Sequence, residues 1–348
     1  MNHTLLTGDA RDQLKELPDC SVNTSITSPP YYGLRNYGMD GQIGLETTPE
    51  QYISKLVEVF REVKRVLRDD GTLFIVIGDS YAGSGKNRNA DGAVNLSALI
   101  SKQGTNAGSG TGSIKAHVVP DGCKPKDLIG IPWMLAFALR ADGWYLRQDI
   151  IWSKPNPMPE SVTDRCTKSH EYIFLLSKSP RYYYDAEAIA EPVSESTVWR
   201  CSQSTDAQKG SDRVPGKTNG NMKAALPRYG GNKYTADPDA FNRTKSGTAY
   251  EYRPLRNKRD VWTVATKGFK EAHFAVFPAE LILPCLLAGC PPGGIVLDPF
   301  TGSGTTAVCA LQHGRNFIGV ELNPQYVDMA QKRINREGHY QERMSVIA

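Results

Sequence analysis

The chain has 348 residues, 40% of them hydrophobic, and a net charge of +4, enough for one large packed domain or a catalytic domain with an insertion. Its longest apolar stretches, 73–77 and 279–288, are too short to cross a bilayer, and residues 1–5 lack the parts of a signal peptide. A soluble, cytoplasmic protein without a membrane partner is therefore expected. Seven scattered cysteines with no C-x-x-C pair, and six histidines without ligand spacing, argue against a disulfide framework and against a metal site.

Residues 4–6 read as a strand, 12–17 as a short helix and 22–27 as a second strand. The helix predicted over 49–67 carries Tyr52, Leu56, Val59, Phe60, Val63 and Leu67 at three- and four-residue spacing, with Asp69-Asp70-Gly71 as its stop. Residues 72–77 lack alternating polar side chains and predict a strand buried on both faces. From 82 to 115, Gly, Ser and Asn without a period predict a flexible loop. Periodicity returns over 131–139 and in the run 149–152. Residues 200–259 hold 13 Lys or Arg against 5 Asp or Glu, a local charge of +8 on an otherwise slightly acidic chain. Residues 194 to about 258 are low in aliphatics but hold Trp199, Tyr229, Tyr234, Phe241, Tyr250 and Tyr252. That composition suits a surface for nucleic acid, and it equally suits a solvated loop pinned by its aromatics. Strands at 294–298 and 316–321 then alternate with helices at 305–313, capped by Gly314, and at 324–336, opened by a proline. Strand and helix alternating at these lengths form half of a doubly wound α/β sheet.

Two constellations carry chemistry. Asp298-Pro299-Phe300-Thr301-Gly302-Ser303-Gly304-Thr305-Thr306 turns a strand into a helix, and its small residues let a ligand approach free N–H groups. It has neither the third glycine of a dinucleotide fingerprint nor the Gly-Lys-Ser/Thr of a phosphate loop. Glu321 ends the next strand, where a carboxylate accepts hydrogen bonds from ribose hydroxyls, so a nucleoside without pyrophosphate fits best. The second constellation is Thr27-Ser28-Pro29-Pro30-Tyr31, directly after a strand. Two prolines remove two N–H donors and leave local carbonyls facing outward beside a hydroxyl and an aromatic face. Such a site suits a planar ligand bearing an amino group. A Pro-Pro turn followed by a core tyrosine is the plainer alternative.

Together these motifs resemble the exocyclic-amino methyltransferases of DNA, in particular the β group, in which the catalytic motif precedes the cofactor motif. Ser28-Pro29-Pro30-Tyr31 is similar to the family's (D/N/S)-P-P-(Y/F) catalytic motif, and the stretch from Asp298 to Gly304 to its D-P-F-x-G-S-G cofactor motif. Glu321-Leu322-Asn323 resembles its ribose clamp. The stretch from Ala272 to Pro278 resembles the segment around the methionine part of the cofactor, and Gly8-Asp9-Ala10 a pair at the cofactor's adenine end. Trp152-Ser153-Lys154-Pro155-Asn156-Pro157 resembles a segment of the target-base pocket.

The resemblance implies a Rossmann-like, circularly permuted class I methyltransferase fold with a mostly parallel seven-stranded sheet. The catalytic domain would comprise 1–190 and 260–348, with 191–259 an inserted target-recognition region. It implies S-adenosylmethionine as cofactor, held by Asp9, Phe277, Pro278, Asp298, Phe300, Gly302, Ser303, Gly304, Thr305, Glu321 and Asn323. Ser28, Pro29, Pro30 and Tyr31 would be catalytic, and Trp152, Lys154 and Asn156 would line the base pocket. Double-stranded DNA is the implied partner, its target base swung out of the duplex, with a second copy of the chain and a cognate restriction endonuclease as further partners. The serine-led motif leans to N4 of cytosine, with N6 of adenine the alternative. An RNA or protein-glutamine methyltransferase is a more distant one. Pro284-Cys285 matches the nucleophile dipeptide of C5-cytosine enzymes, but its apolar neighbours predict a buried, inert thiol.

Overall fold

The computed structural model describes residues 1–33, 38–83, 119–196, 255–266 and 277–338. In chain order these form β1 (His3–Thr7), α1 (Ala10–Gln13), a 3-10 turn (Leu14–Glu16), β2 (Val22–Thr27), α2 (Pro49–Val66), β3 (Leu67–Ile77) and α3 (Ile131–Ala141). There follow β4 (Tyr145–Ser153), β5 (His170–Ser177), β6 (Glu191–Pro192), β7 (Leu255–Arg256), β8 (Val261–Thr263) and α4 (Ala279–Gly289). Last come β9 (Ile295–Asp298), α5 (Thr305–Gln312), β10 (Asn316–Glu321) and α6 (Pro324–Glu337).

Hydrophobic spacing explains most of these elements. Thr48 caps α2 by accepting from the Gln51 N–H, Pro49 occupies the first turn, and the helix buries one continuous face from Tyr52 to Val66. The Asp69-Asp70-Gly71 run is not a stop after the helix. The chain passes at Leu67 directly into β3, so Asp69 and Asp70 are part of the exposed head of the strand and Gly71 is already buried. Beyond them β3 is buried on both faces. Leu73, Ile75 and Ile77 enter a core with α2 and α3, while Phe74 and Val76 enter a second core with α4 and α5. An unbroken apolar run is what a strand covered on two sides requires.

Among the described residues the main sheet runs in the order β1-β10-β9-β2-β3-β5-β4-β8, with β5 antiparallel to both its neighbours and every other pairing parallel. It therefore has eight strands and not the expected seven, the addition being the three-residue β8 beside β4. The N-terminal β1 pairs with β10, which closes the cofactor-motif half of the sheet with the first strand of the chain. No described helix is long and apolar enough to cross a membrane.

The chain divides into two compact units, Met1–Asp185 with Asp260–Ala348, and Ala186–Arg259. Within the second unit, β6 and β7 pair antiparallel, and Glu191 accepts from both Arg256 and Arg259. Residues 197–254, which hold most of the segment expected to read the target, lie outside the described residues. So does the expected loop from 84 onward.

Gly319 shows how tightly the cofactor half is packed. A Cβ there would lie 2.3 Å from the Thr301 hydroxyl and 2.6 Å from the Phe317 ring. Gly319→Ala is therefore expected to destabilise the fold by about 1–3 kcal/mol, read as a lowered midpoint in denaturant.

Candidate active site

β2 and β9 are parallel neighbours, with Thr24 and Ser25 opposite Val296 and Leu297, and both release the chain at the same edge of the sheet. A cavity of about 310 Å³ lies at these carboxyl ends, where ligands of doubly wound sheets bind. One wall comes from the turns after β1, β9 and β10, another from the turn after β2, and a third from β4 and β5.

On the first wall stand Asp9, Phe300, Gly302, Ser303, Thr305, Glu321 and Asn323, with Phe277 beside them. The Glu321 carboxylate accepts from the Gly302 N–H at 2.8 Å and the Asn323 N–H at 2.9 Å, which ties the two turns together. Burial pushes its carboxyl above the usual range, against the pull of those N–H donors. The backbone of Gly8 donates to the Glu321 carbonyl, so β1 delivers Asp9 next to this carboxylate. Asp9 caps α1 through the Arg11 N–H and pairs with the Arg11 guanidinium at 2.5 Å. That hydrogen bond holds its carboxyl below the ordinary value. Asn323 caps α6 by accepting from Gln325.

Three residues read as cofactor ligands are placed elsewhere. Asp298 is fully buried behind the turn and accepts from Thr27 Oγ1 at 2.6 Å, Thr306 Oγ1 at 2.7 Å and the Phe300 N–H at 3.0 Å. It joins β2, β9 and α5 and is not part of the cavity wall. Gly304 begins α5 with φ +79°, and a Cβ there would stand 3.0 Å from Ala330 of α6, so its small size serves helix packing. Pro278 is buried as the capping residue of α4. The rest of the expected methionine-binding segment, 272–276, lies outside the described residues.

Ser28, Pro29, Pro30 and Tyr31 line the second wall. The outward-facing carbonyls expected there need one correction, because the Pro30 carbonyl accepts from the Tyr52 phenol at 2.8 Å and so anchors the loop to α2. The Tyr31 phenol donates to Glu171 Oε2 at 2.7 Å. Burial and then the Glu171 charge push its pKa well above the ordinary tyrosine value. On the third wall, the Trp152 indole donates to the Val264 carbonyl. Lys154 pairs with Glu171, its ammonium 4.3 Å from the centre of the Trp152 ring. Asn156 is exposed and off the wall, but its amide both accepts from and donates to the Thr266 backbone, and Thr266 does line the cavity.

Sequence reasoning missed Glu171, the Met39 to Ile43 loop, Thr266 and Tyr326, all on the wall. A carboxylate heading the apolar run Tyr172 to Leu176 was the signal available for Glu171.

The wall has the chemistry of a nucleoside site. A half-buried carboxylate and the backbone of a glycine turn stand at one end, and Lys154, at the other, is the only basic side chain among the described wall residues. These residues fit S-adenosylmethionine.

Residues 22–332 match the family model for DNA methylases of the N6/N4 type. The chain belongs to this family: it is a DNA amino-methyltransferase, and S-adenosylmethionine is its methyl donor. Among its relatives is the Type II methyltransferase M.Cfr9I of Citrobacter freundii, 44% identical over 96% of this chain and 88% of that protein. The PvuII DNA methyltransferase has a similar structure, with a TM-score of 0.57 at 16% identity over 96% of this chain and 86% of that one. A DNA modification methylase of Thermus thermophilus, in complex with S-adenosyl-L-methionine, superposes with a TM-score of 0.53 at 23% identity over 97% and 96%. The fold is thus the Rossmann-like class I methyltransferase fold.

Burial pushes the Asp298 carboxyl up to about 6 from an ordinary 3.8, against its three donors. Between those values the folded state holds a proton that the unfolded state has lost. The contribution of Asp298 is therefore most favourable at low pH and is lost as pH rises through 6, by roughly 2–3 kcal/mol. Denaturant unfolding at pH 4.5 and pH 7 should show the wild type gaining stability relative to Asp298→Asn at the lower pH. The opposite sign would mean that the carboxylate is stabilised as an anion.

Proposed function

We propose that the protein methylates N4 of cytosine in duplex DNA, at a sequence read by the segment 191–259, as the modification partner of a restriction endonuclease. The observation that carries the reading is the continuity of one cavity. The Ser28 to Tyr31 loop and the Gly302 to Glu321 pocket face a common space, so a base and a nucleoside cofactor can meet there. The serine at the head of the loop supports cytosine. The local charge of +8 over 200–259 supports phosphate contact, and the name Type II methyltransferase, carried by M.Cfr9I, supports an endonuclease partner in the cytoplasm.

In this reading the Gly302 turn, Phe300, Ser303, Thr305, Asn323 and Asp9 shape the nucleoside pocket, and Glu321 accepts from the ribose hydroxyls. Bound S-adenosylmethionine supplies an electrophilic methyl group. An exocyclic amine is a poor nucleophile because its lone pair is delocalised into the ring. Ser28 Oγ and the Pro29 carbonyl accept its two hydrogens and favour a pyramidal nitrogen with a freed lone pair. Tyr31 stacks on the base, which must leave the duplex to enter the cavity, and Trp152 and Lys154 bound its far side. Such a reaction rests on positioning and needs no enzyme nucleophile. Cys285, fully buried in α4, lies in the core and not at the cavity.

The test is to incubate the protein with duplex DNA and S-adenosylmethionine, digest the DNA to nucleosides and identify the methylated one by mass. N4-methylcytosine is expected, and N6-methyladenine would overturn the cytosine assignment. Ser28→Ala should keep its affinity for S-adenosylmethionine but transfer methyl groups about 10²–10³ times more slowly. Unchanged turnover would remove the serine from the mechanism.

A further inference from the structure

The wall between β4 and β5 carries a chain of contacts that none of the catalytic or cofactor assignments uses. Glu171 stands opposite Trp152 in the β4–β5 pairing, one oxygen accepting from the Tyr31 phenol at 2.7 Å and the other paired with the Lys154 ammonium. Lys154 in turn lies over the Trp152 ring. The side chains of Lys154 and Glu171 are only 18% and 15% exposed, so solvent screens the pair little. From below, Gly78 at the end of β3 completes the cradle. A Cβ there would stand 2.9 Å from Tyr31 Cε2 and 3.1 Å from the Glu171 carboxyl carbon, so only glycine lets ring and carboxylate lie side by side.

A tyrosine on a turn can rotate about two side-chain bonds. Fixing its hydroxyl to a carboxylate, and its ring edge against backbone, leaves one orientation, and a hydrogen bond to an ionised acceptor is among the stronger ones. We infer that Glu171 is a positioning residue for methyl transfer: with Lys154 and Gly78 it locks the Tyr31 ring as a fixed face of the base pocket. The inference rests on the proposed role of Tyr31 as the base-stacking residue. Lys154 neutralises the carboxylate, and the pair it forms also spans from the stacking ring to Trp152 across the pocket.

A purely structural ion pair would lower stability whatever residue 31 carries. A positioning role makes the effect of Glu171 depend on the Tyr31 hydroxyl. The experiment measures single-turnover methyl transfer to duplex DNA at saturating S-adenosylmethionine. The variants are Tyr31→Phe, Glu171→Ala, Glu171→Gln and the combinations of each Glu171 change with Tyr31→Phe, with cofactor affinity measured alongside. Glu171→Ala should slow transfer by about tenfold when Tyr31 is present and by less than about twofold in the Tyr31→Phe background, cofactor affinity staying constant. Glu171→Gln, which keeps an acceptor for the phenol, should fall between, and it carries the same cycle if Glu171→Ala does not fold. Equal losses in both backgrounds, or a Tyr31→Phe variant as fast as the wild type, would overturn the inference. Tyr31→Ala separates this from a failure of the underlying reading. Wild-type transfer by that variant would remove Tyr31 from the base pocket altogether, whereas its loss of transfer alongside an additive cycle would overturn the role of Glu171 alone.

Discussion

The buried hydrogen bond from Thr27 to Asp298 joins the two halves of this molecule at the place where its chemistry occurs. Thr27 is the last residue of β2 and Asp298 the last of β9, strands separated by 271 positions in sequence. Both side chains are withdrawn from water. A carboxylate in that position is costly unless donors surround it, and three do: Thr27, Thr306 and the Phe300 N–H. Each donor belongs to a different piece of the site. Thr27 precedes the Ser28 to Tyr31 loop, Phe300 begins the cofactor turn and Thr306 sits in the first turn of α5. Asp298 thus ties the Ser28 to Tyr31 loop to the turn after β9 from behind the cavity wall.

Around that junction the site is layered by role. Asp298, Gly304 and Pro278 stand behind the cavity, while Gly302, Ser303 and Glu321 line one of its walls and Ser28 to Tyr31 another. Hydrogen bonds within the wall and to its surroundings hold the turns in place. Glu321 binds the Gly302 and Asn323 backbones, Tyr52 binds the Pro30 carbonyl, and Asn156 binds Thr266. A transfer reaction that depends on placing an amine against a methyl group demands such rigidity from its surroundings.

Local pattern made much of this readable from the sequence. The spacing of Tyr52 to Val63 locates α2, and Asp298 to Thr306 and Ser28 to Tyr31 announce their turns, because the required residues are neighbours in the chain. Tertiary arrangements were harder to read. β5 was not recognised, since its run from Tyr172 to Leu176 has no period that separates strand from buried helix. Nothing near Glu171 in sequence reveals that it meets Tyr31 from 140 positions away. Motif membership also hides function within function. Asp298 and Gly304 belong to the same motif as Gly302 and Ser303 but stand behind the cavity wall, which the geometry distinguishes and the motif does not. The Asp69-Asp70-Gly71 run reads as a helix stop because Asp and Gly are rare in strands, yet β3 carries them at its head.

The two halves form one site because Thr27 and Asp298 hold them together. The direct measurement is the affinity of Thr27→Val for S-adenosylmethionine, since valine keeps the shape and removes only the hydroxyl. A folded protein whose cofactor affinity falls by about tenfold is expected, although residue 27 is not on the cavity wall. A variant of lowered stability but unchanged cofactor affinity would contradict it.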